Sequence, residues 1–106
     1  MISLYKDAKA INVLPGLIRR TLAQSQSMML CEFRFDEEVQ IPIHSHPHEQ
    51  VGYLAEGHVE MTIDGIKYEL KKGDSYCAPP NVPHGVFTLV PSIIIDTFYP
   101  PREDYR

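Results

Sequence analysis

Nine prolines and six glycines are spread through 106 residues, at intervals of about ten, and they leave only short runs between them. Proline removes a backbone donor and glycine weakens a helix interior, so a chain cut this often cannot sustain long helices. No stretch of eleven or more residues keeps a helical apolar period, and Pro15-Gly16 cuts the N-terminal candidate. The runs alternate instead. Met29, Cys31, Phe33 and Phe35 share one side of Met28–Phe35, with Glu32 and Arg34 on the other. Val59, Met61 and Ile63 oppose His58, Glu60 and Thr62, which makes His58 an exposed strand residue. Asp64-Gly65, before Ile66–Leu70, is a two-residue hairpin signal, because both positions tolerate positive φ. Lys71-Lys72-Gly73-Asp74 and Asn81-Val82-Pro83 read as further turns. Ser92–Tyr99 is a strand whose Ile93-Ile94-Ile95 run predicts cover on both faces. Leu17–Ala23 is an N-terminal strand in which either Arg19 or Arg20 must face inward, and it is the candidate for docking on a neighbouring subunit. Many short, evenly spaced strands argue for an all-β sandwich or barrel. With no repeat or linker, residues 1–106 read as a single domain.

Composition removes several function classes. The hydrophobic share is 43% and the charged share 23%, as in an ordinary globular protein. Net charge is −4 and the basic residues are scattered, which excludes a nucleic-acid partner that needs a basic stripe. Met1–Ala10 has no apolar run, so neither a signal peptide nor a membrane span is expected. Cys31 and Cys77 lie in strand-like apolar runs without a close partner, and read as two buried free thiols in a reducing cytoplasm.

The chemistry-bearing residues are His44-Ser45-His46, Gln50 and His84. Histidines two apart on a strand point to the same side. Imidazoles plus one oxygen suit a divalent transition metal, one of Ni, Mn, Fe, Zn or Co. Gln50 is either the fourth ligand or a hydrogen-bonding neighbour of one. As a ligand it leaves the ion's double charge uncompensated, which favours Lewis-acid over redox chemistry. His48 and Glu49, between the ligands, read as solvent-facing. Asp96 and Phe98 share a face of Ser92–Tyr99, where a covered carboxylate is costly unless it is paired. The alternative is an Asp96 turned to solvent at the strand end. Arg102 follows the stiff Pro100-Pro101 segment, which either carries its guanidinium over the mouth of the fold or leaves it paired with Glu103 or Asp104. Tyr76 lines that mouth or, as for most strand aromatics, belongs to the core.

His44-x-His46, three residues, Gln50, six residues and Gly57 resemble the first cupin motif, with Gln in place of the usual Glu. Gly73, five residues, Pro79-x-Asn81, two residues and His84 resemble the second, with Asn81 replacing a glycine. Thr88 stands where many cupins carry an asparagine. The resemblance implies a double-stranded β-barrel, or jelly roll, holding one divalent metal through His44, His46, Gln50 and His84. The run from His44 to Gln50, the segment Pro79–His84 and the tail Asp96–Asp104 resemble pectin-degradation cupins of the KdgF type. That likeness implies linearisation of 4,5-unsaturated monouronates to 5-keto-4-deoxyuronate. Asp96 and Arg102 would be catalytic, and Arg102 and Phe98 would bind a small acidic sugar. It also implies a homodimer, as small cupins usually pair. A sugar- or metal-sensing cupin without turnover, or an iron dioxygenase, is the alternative, and the chain has no helix-turn-helix segment to act on DNA.

Overall fold

Ten strands form, the five read from the sequence among them to within one residue at either end, and a computed structural model describes all of residues 1–106. They are β1 (Ile11–Leu14), β2 (Leu17–Gln24), β3 (Met29–Phe35), β4 (Gln40–His44), β5 (Glu49–Glu56), β6 (His58–Ile63), β7 (Ile66–Lys71), β8 (Ser75–Ala78), β9 (His84–Thr88) and β10 (Ser92–Tyr99). Helix is confined to two 3-10 turns, Tyr5–Asp7 and Glu103–Tyr105. No helix is long and apolar enough to cross a membrane. Asp64 and Gly65 both take positive φ, 52° and 78°, the geometry that matches a tight hairpin to the strand twist.

The strands make two antiparallel sheets, in the orders β1-β2-β3-β10-β5-β8 and β4-β9-β6-β7. No strand-to-strand ladder joins them, so the all-β expectation is met by two facing sheets and not by a continuously hydrogen-bonded barrel. Twelve buried side chains fill the space between, among them Leu17, Met29, Phe33, Leu54, Met61, Ile94 and Phe98. Every second residue of β3 and β10 is buried, and of these all in β3 and Ile94 and Phe98 in β10 belong to this core.

Three local expectations change. β10 is central, yet Ile93 and Ile95 are only half-buried, because they lie on the face of the sheet turned away from the core. Cys31 is buried but Cys77 is exposed: β8 is an edge strand whose Tyr76 and Ala78 turn inward, leaving Cys77 on the solvent side. β2 is flanked by β1 through Leu17–Arg19, so that part of it has no free edge for a neighbour. Glu32, on the outward side of β3, is nevertheless buried. Arg34 at 3.0 Å, Arg20 at 3.5 Å and the Tyr5 hydroxyl at 2.8 Å surround its carboxylate.

Candidate metal centre

His44 ends β4 and His84 opens β9, and the two are register partners in the smaller sheet. His46 lies beyond the end of β4, in the loop to β5, so the loop and not a strand period aims it inward. The Asn81 amide donates to the His46 carbonyl at 2.8 Å and ties that loop to the turn before His84. Asn81 has φ 66°, a left-handed conformation that asparagine tolerates better than most residues, which explains how it substitutes for glycine there. Gln50 comes from β5 and Asp96 and Phe98 from β10, so the site spans the mouth between the sheets.

The three imidazoles present ligand atoms within 4.8 Å of one another. Each Nδ1 donates to a main-chain carbonyl: His44 to Pro42 at 2.8 Å, His46 to His48 at 3.0 Å and His84 to Val82 at 2.9 Å. That leaves a lone pair on each Nε2 when the rings are neutral. Burial, ahead of the nearby positive charge of Arg102, holds His46 below the ordinary histidine pKa, and burial does the same for His84. His84 Nε2 is buried without a hydrogen-bond partner, and His46 Nε2 faces Gln50 Oε1, another acceptor, at 3.0 Å. Lone pairs gathered in this way are costly unless a cation shares them. Two ligand atoms about 2.1 Å from one ion, at right angles, would lie about 3 Å apart. The donor set therefore fits a metal ion.

Asp96 is 4% exposed. Desolvation pushes its carboxyl pKa up to about 7, against hydrogen bonds from Tyr76 and Gln50 that pull it down. Tyr76 donates to Asp96 Oδ1 and accepts from Gln50 Nε2 at 2.7 Å. Arg102 is largely covered, with its guanidinium carbon 5.5 Å from the Phe98 ring centre and 4.3 Å from that of Tyr105. Its fork holds Asp104, Nε to Oδ1 at 3.2 Å and Nη2 to Oδ2 at 3.1 Å. Both sequence alternatives for Arg102 thus coexist. A cavity of about 110 Å³ is lined by His44, Gln50, Tyr76, His84, Asp96, Phe98 and Arg102.

Arg19 is the arginine of β2 that faces inward, with its guanidinium 4.0 Å from the Tyr105 ring centre, while Arg20 pairs with Glu32 on the outside. His48 is half-buried and not solvent-facing, its ring 5.5 Å from that of His46, whereas Glu49 is exposed. His58 is only partly exposed and binds Glu69 on β7. Sequence reasoning passed over Tyr105 and left Tyr76 undecided. The signal available for Tyr76 was Gly52, a lone glycine inside a strand, which often marks close approach of another group.

Comparison with known proteins agrees with this geometry. The Cupin domain model matches residues 32–94. The chain is 38% identical over 92 residues to the pectin degradation protein KdgF of Dickeya dadantii, covering 85% of this chain and 84% of that protein. The solved structure of KdgF from Halomonas sp. superposes with a TM-score of 0.94 at 31% identity, covering 100% of this chain and 98% of that one. An RmlC-like cupin from Shewanella frigidimarina superposes equally well, TM-score 0.94 at 34% identity, over 99% of this chain and 95% of its own.

Proposed function

Because the chain belongs to the cupin family and, within it, to the KdgF group, we propose that it is a metal-dependent enzyme of pectin and alginate breakdown that opens the ring of a 4,5-unsaturated monouronate to give 5-keto-4-deoxyuronate. The observation that carries this reading is that His44 and His84, two of the three clustered imidazoles, line one small cavity together with a buried carboxyl and a guanidinium. About 110 Å³ has room for part of one sugar ring and not for an oligosaccharide, well below the ~300–1,000 Å³ of drug-sized pockets. In this reading the two sheets form the double-stranded barrel of the family, and His44, His46, Gln50 and His84 hold one divalent ion, Ni, Mn, Fe, Zn or Co. When bound, that ion supplies Lewis acidity, strengthened because all four ligands are neutral.

The residues of the chain do the rest. Arg102 exchanges Asp104 for the uronate carboxylate, since the same two-pronged contact serves either partner. Phe98 supports that guanidinium from within the cavity. The reaction is an isomerisation. The anomeric hydroxyl loses its proton, the bond from C1 to the ring oxygen breaks, and an aldehyde forms at C1 with an enolate at C5. A proton added at C4 completes the ketone. Asp96, the buried carboxyl on the cavity wall, takes the first proton and returns one to carbon. Loss of the ultraviolet absorbance of lyase-generated unsaturated monouronates, in the presence of metal-loaded protein, tests the reading. Fully metallated protein that leaves this absorbance unchanged rejects it.

The protein is further proposed to be a cytoplasmic homodimer. Two free cysteines support the compartment, and the exposed Val51, Tyr53 and Tyr99 on the outer face of the larger sheet support association. A monomer by light scattering at micromolar concentration rejects the dimer.

A further inference from the structure

Asp96, Gly52 and Tyr76 form one row across β10, β5 and β8. The central member has no side chain, and the space it leaves is used. A Cβ placed at Gly52 would lie 2.1 Å from Tyr76 Cε1 and 2.2 Å from Asp96 Oδ1. The Tyr76 ring therefore lies over the β5 backbone, and its hydroxyl crosses a whole strand to reach Asp96. At the same point it meets the side chain of Gln50, the neighbouring inward residue of β5.

With Asp96 ionised, the hydrogen-bond directions in this group have one solution. A phenol has a single proton to give. Asp96 as a carboxylate only accepts, so the proton goes to Oδ1. The Tyr76 oxygen can then only accept, and it takes the Gln50 amide hydrogen at 2.7 Å. Turning the Gln50 amide over would set its oxygen against that phenol oxygen, two acceptors at contact distance. With its nitrogen committed to Tyr76, Gln50 must direct Oε1 toward His46 Nε2, where it is found at 3.0 Å. The orientation of the fourth donor of the metal centre is thus set by a residue whose hydroxyl bonds to Gln50 and Asp96 and to none of the imidazoles.

We infer that Tyr76, seated over Gly52, is the positioning residue of this site: its hydroxyl turns the Gln50 oxygen toward the three imidazoles and holds the Asp96 carboxyl at the cavity wall. The part concerning Asp96 rests on the proposed ring opening, and the part concerning Gln50 rests on the donor geometry alone. Tyr76→Phe keeps the ring over Gly52 and removes only the hydroxyl. Calorimetric titration of metal-free protein with Co²⁺ should show affinity falling by about 10–100-fold, the usual effect of losing a group that orients a ligand. The visible spectrum of the Co²⁺-loaded variant should also differ from that of wild type, because the amide oxygen is no longer held in place. With an unsaturated monouronate, kcat should fall while KM stays within about twofold, since Arg102 is untouched. A space-filling Tyr76 would lower thermal stability only. Co²⁺ affinity within twofold of wild type together with an unchanged spectrum overturns the inference. Wild-type protein that binds Co²⁺ but turns over no unsaturated uronate discards the ring-opening reading and leaves the Co²⁺ titration to judge Tyr76. Wild-type protein that binds no Co²⁺ overturns both.

Discussion

The two ends of the sandwich treat buried polar groups in opposite ways. At the end away from the metal centre, Thr88 is fully buried, donating its hydroxyl to the Asp36 carbonyl at 2.7 Å and accepting from the Val39 amide at 3.0 Å. Ser92, 2% exposed, likewise donates to the Val90 carbonyl at 2.7 Å and accepts from the His58 amide at 3.3 Å. Each hydroxyl there is satisfied twice by main chain. At the mouth, His84 Nε2 has no partner and two acceptors, from His46 and Gln50, face each other. Natural proteins rarely leave buried groups in that condition without a ligand to complete them. Burial and polarity are common to both ends, and unmet hydrogen-bonding capacity is what separates a structural polar residue from a functional one.

The contrast is most severely tested at the histidines. A His44→Ala, His84→Ala double variant should lose all bound metal while keeping its fold, because the far end is untouched. Stoichiometric metal by elemental analysis of that folded variant would remove the site. Next in size is Asp96→Asn, for which turnover should drop by roughly 10²–10⁴-fold with metal retained. Unchanged turnover would keep the activity but not this acid. In the metal-free protein the same residue carries a pH signature. Its pKa is raised by folding, from 3.8 to about 7, so its contribution to stability is fully present below about pH 3.8 and is lost as pH rises through about 7. Urea midpoints should therefore decline over that window in metal-free wild type and decline less in Asp96→Asn. At the other end, Thr88→Val strips partners from Val39 N–H and the Asp36 carbonyl, costing about 1–3 kcal/mol in chemical denaturation with metal content unaltered. Metal loss in Thr88→Val would blur the distinction between the ends. The smallest effect belongs to Arg102→Lys: about tenfold weaker substrate affinity, seen in KM with kcat nearly constant, because an ammonium cannot reproduce the paired contact.

How much of this was readable beforehand depends on how far along the chain each contact reaches. β6 has the bounds read from period-two alternation and β10 those read from its continuous apolar run, both local properties. The histidines and Gln50 were readable as a group because their spacing is itself a motif. Asp96 and Phe98 sharing an inward face followed from alternation too. What was hidden depends on register between distant strands. Tyr76 reaches Asp96 only because β8 and β10 flank β5 at Gly52. Tyr105 meets Arg19 across almost the whole chain, and Tyr5 helps bury Glu32 on a face that alternation assigns to water. Cys77 looked buried because its neighbours are apolar, whereas an edge strand exposes one of its faces whatever its composition.

Two sheets without a connecting ladder are held together by their packed core and by loops, yet the proposed metal donors are divided between them, His44 and His84 on one sheet and Gln50 on the other. A cation bound there works as a reversible rivet, and its contribution obeys mass action instead of being built into the chain. At a free concentration one hundred times its dissociation constant it would add about 2.7 kcal/mol to the stability of the folded state. Thermal midpoints of wild type should accordingly climb with each tenfold rise in free Co²⁺, while those of the double histidine variant stay level, so that the amount of folded protein in a cell would track its supply of metal.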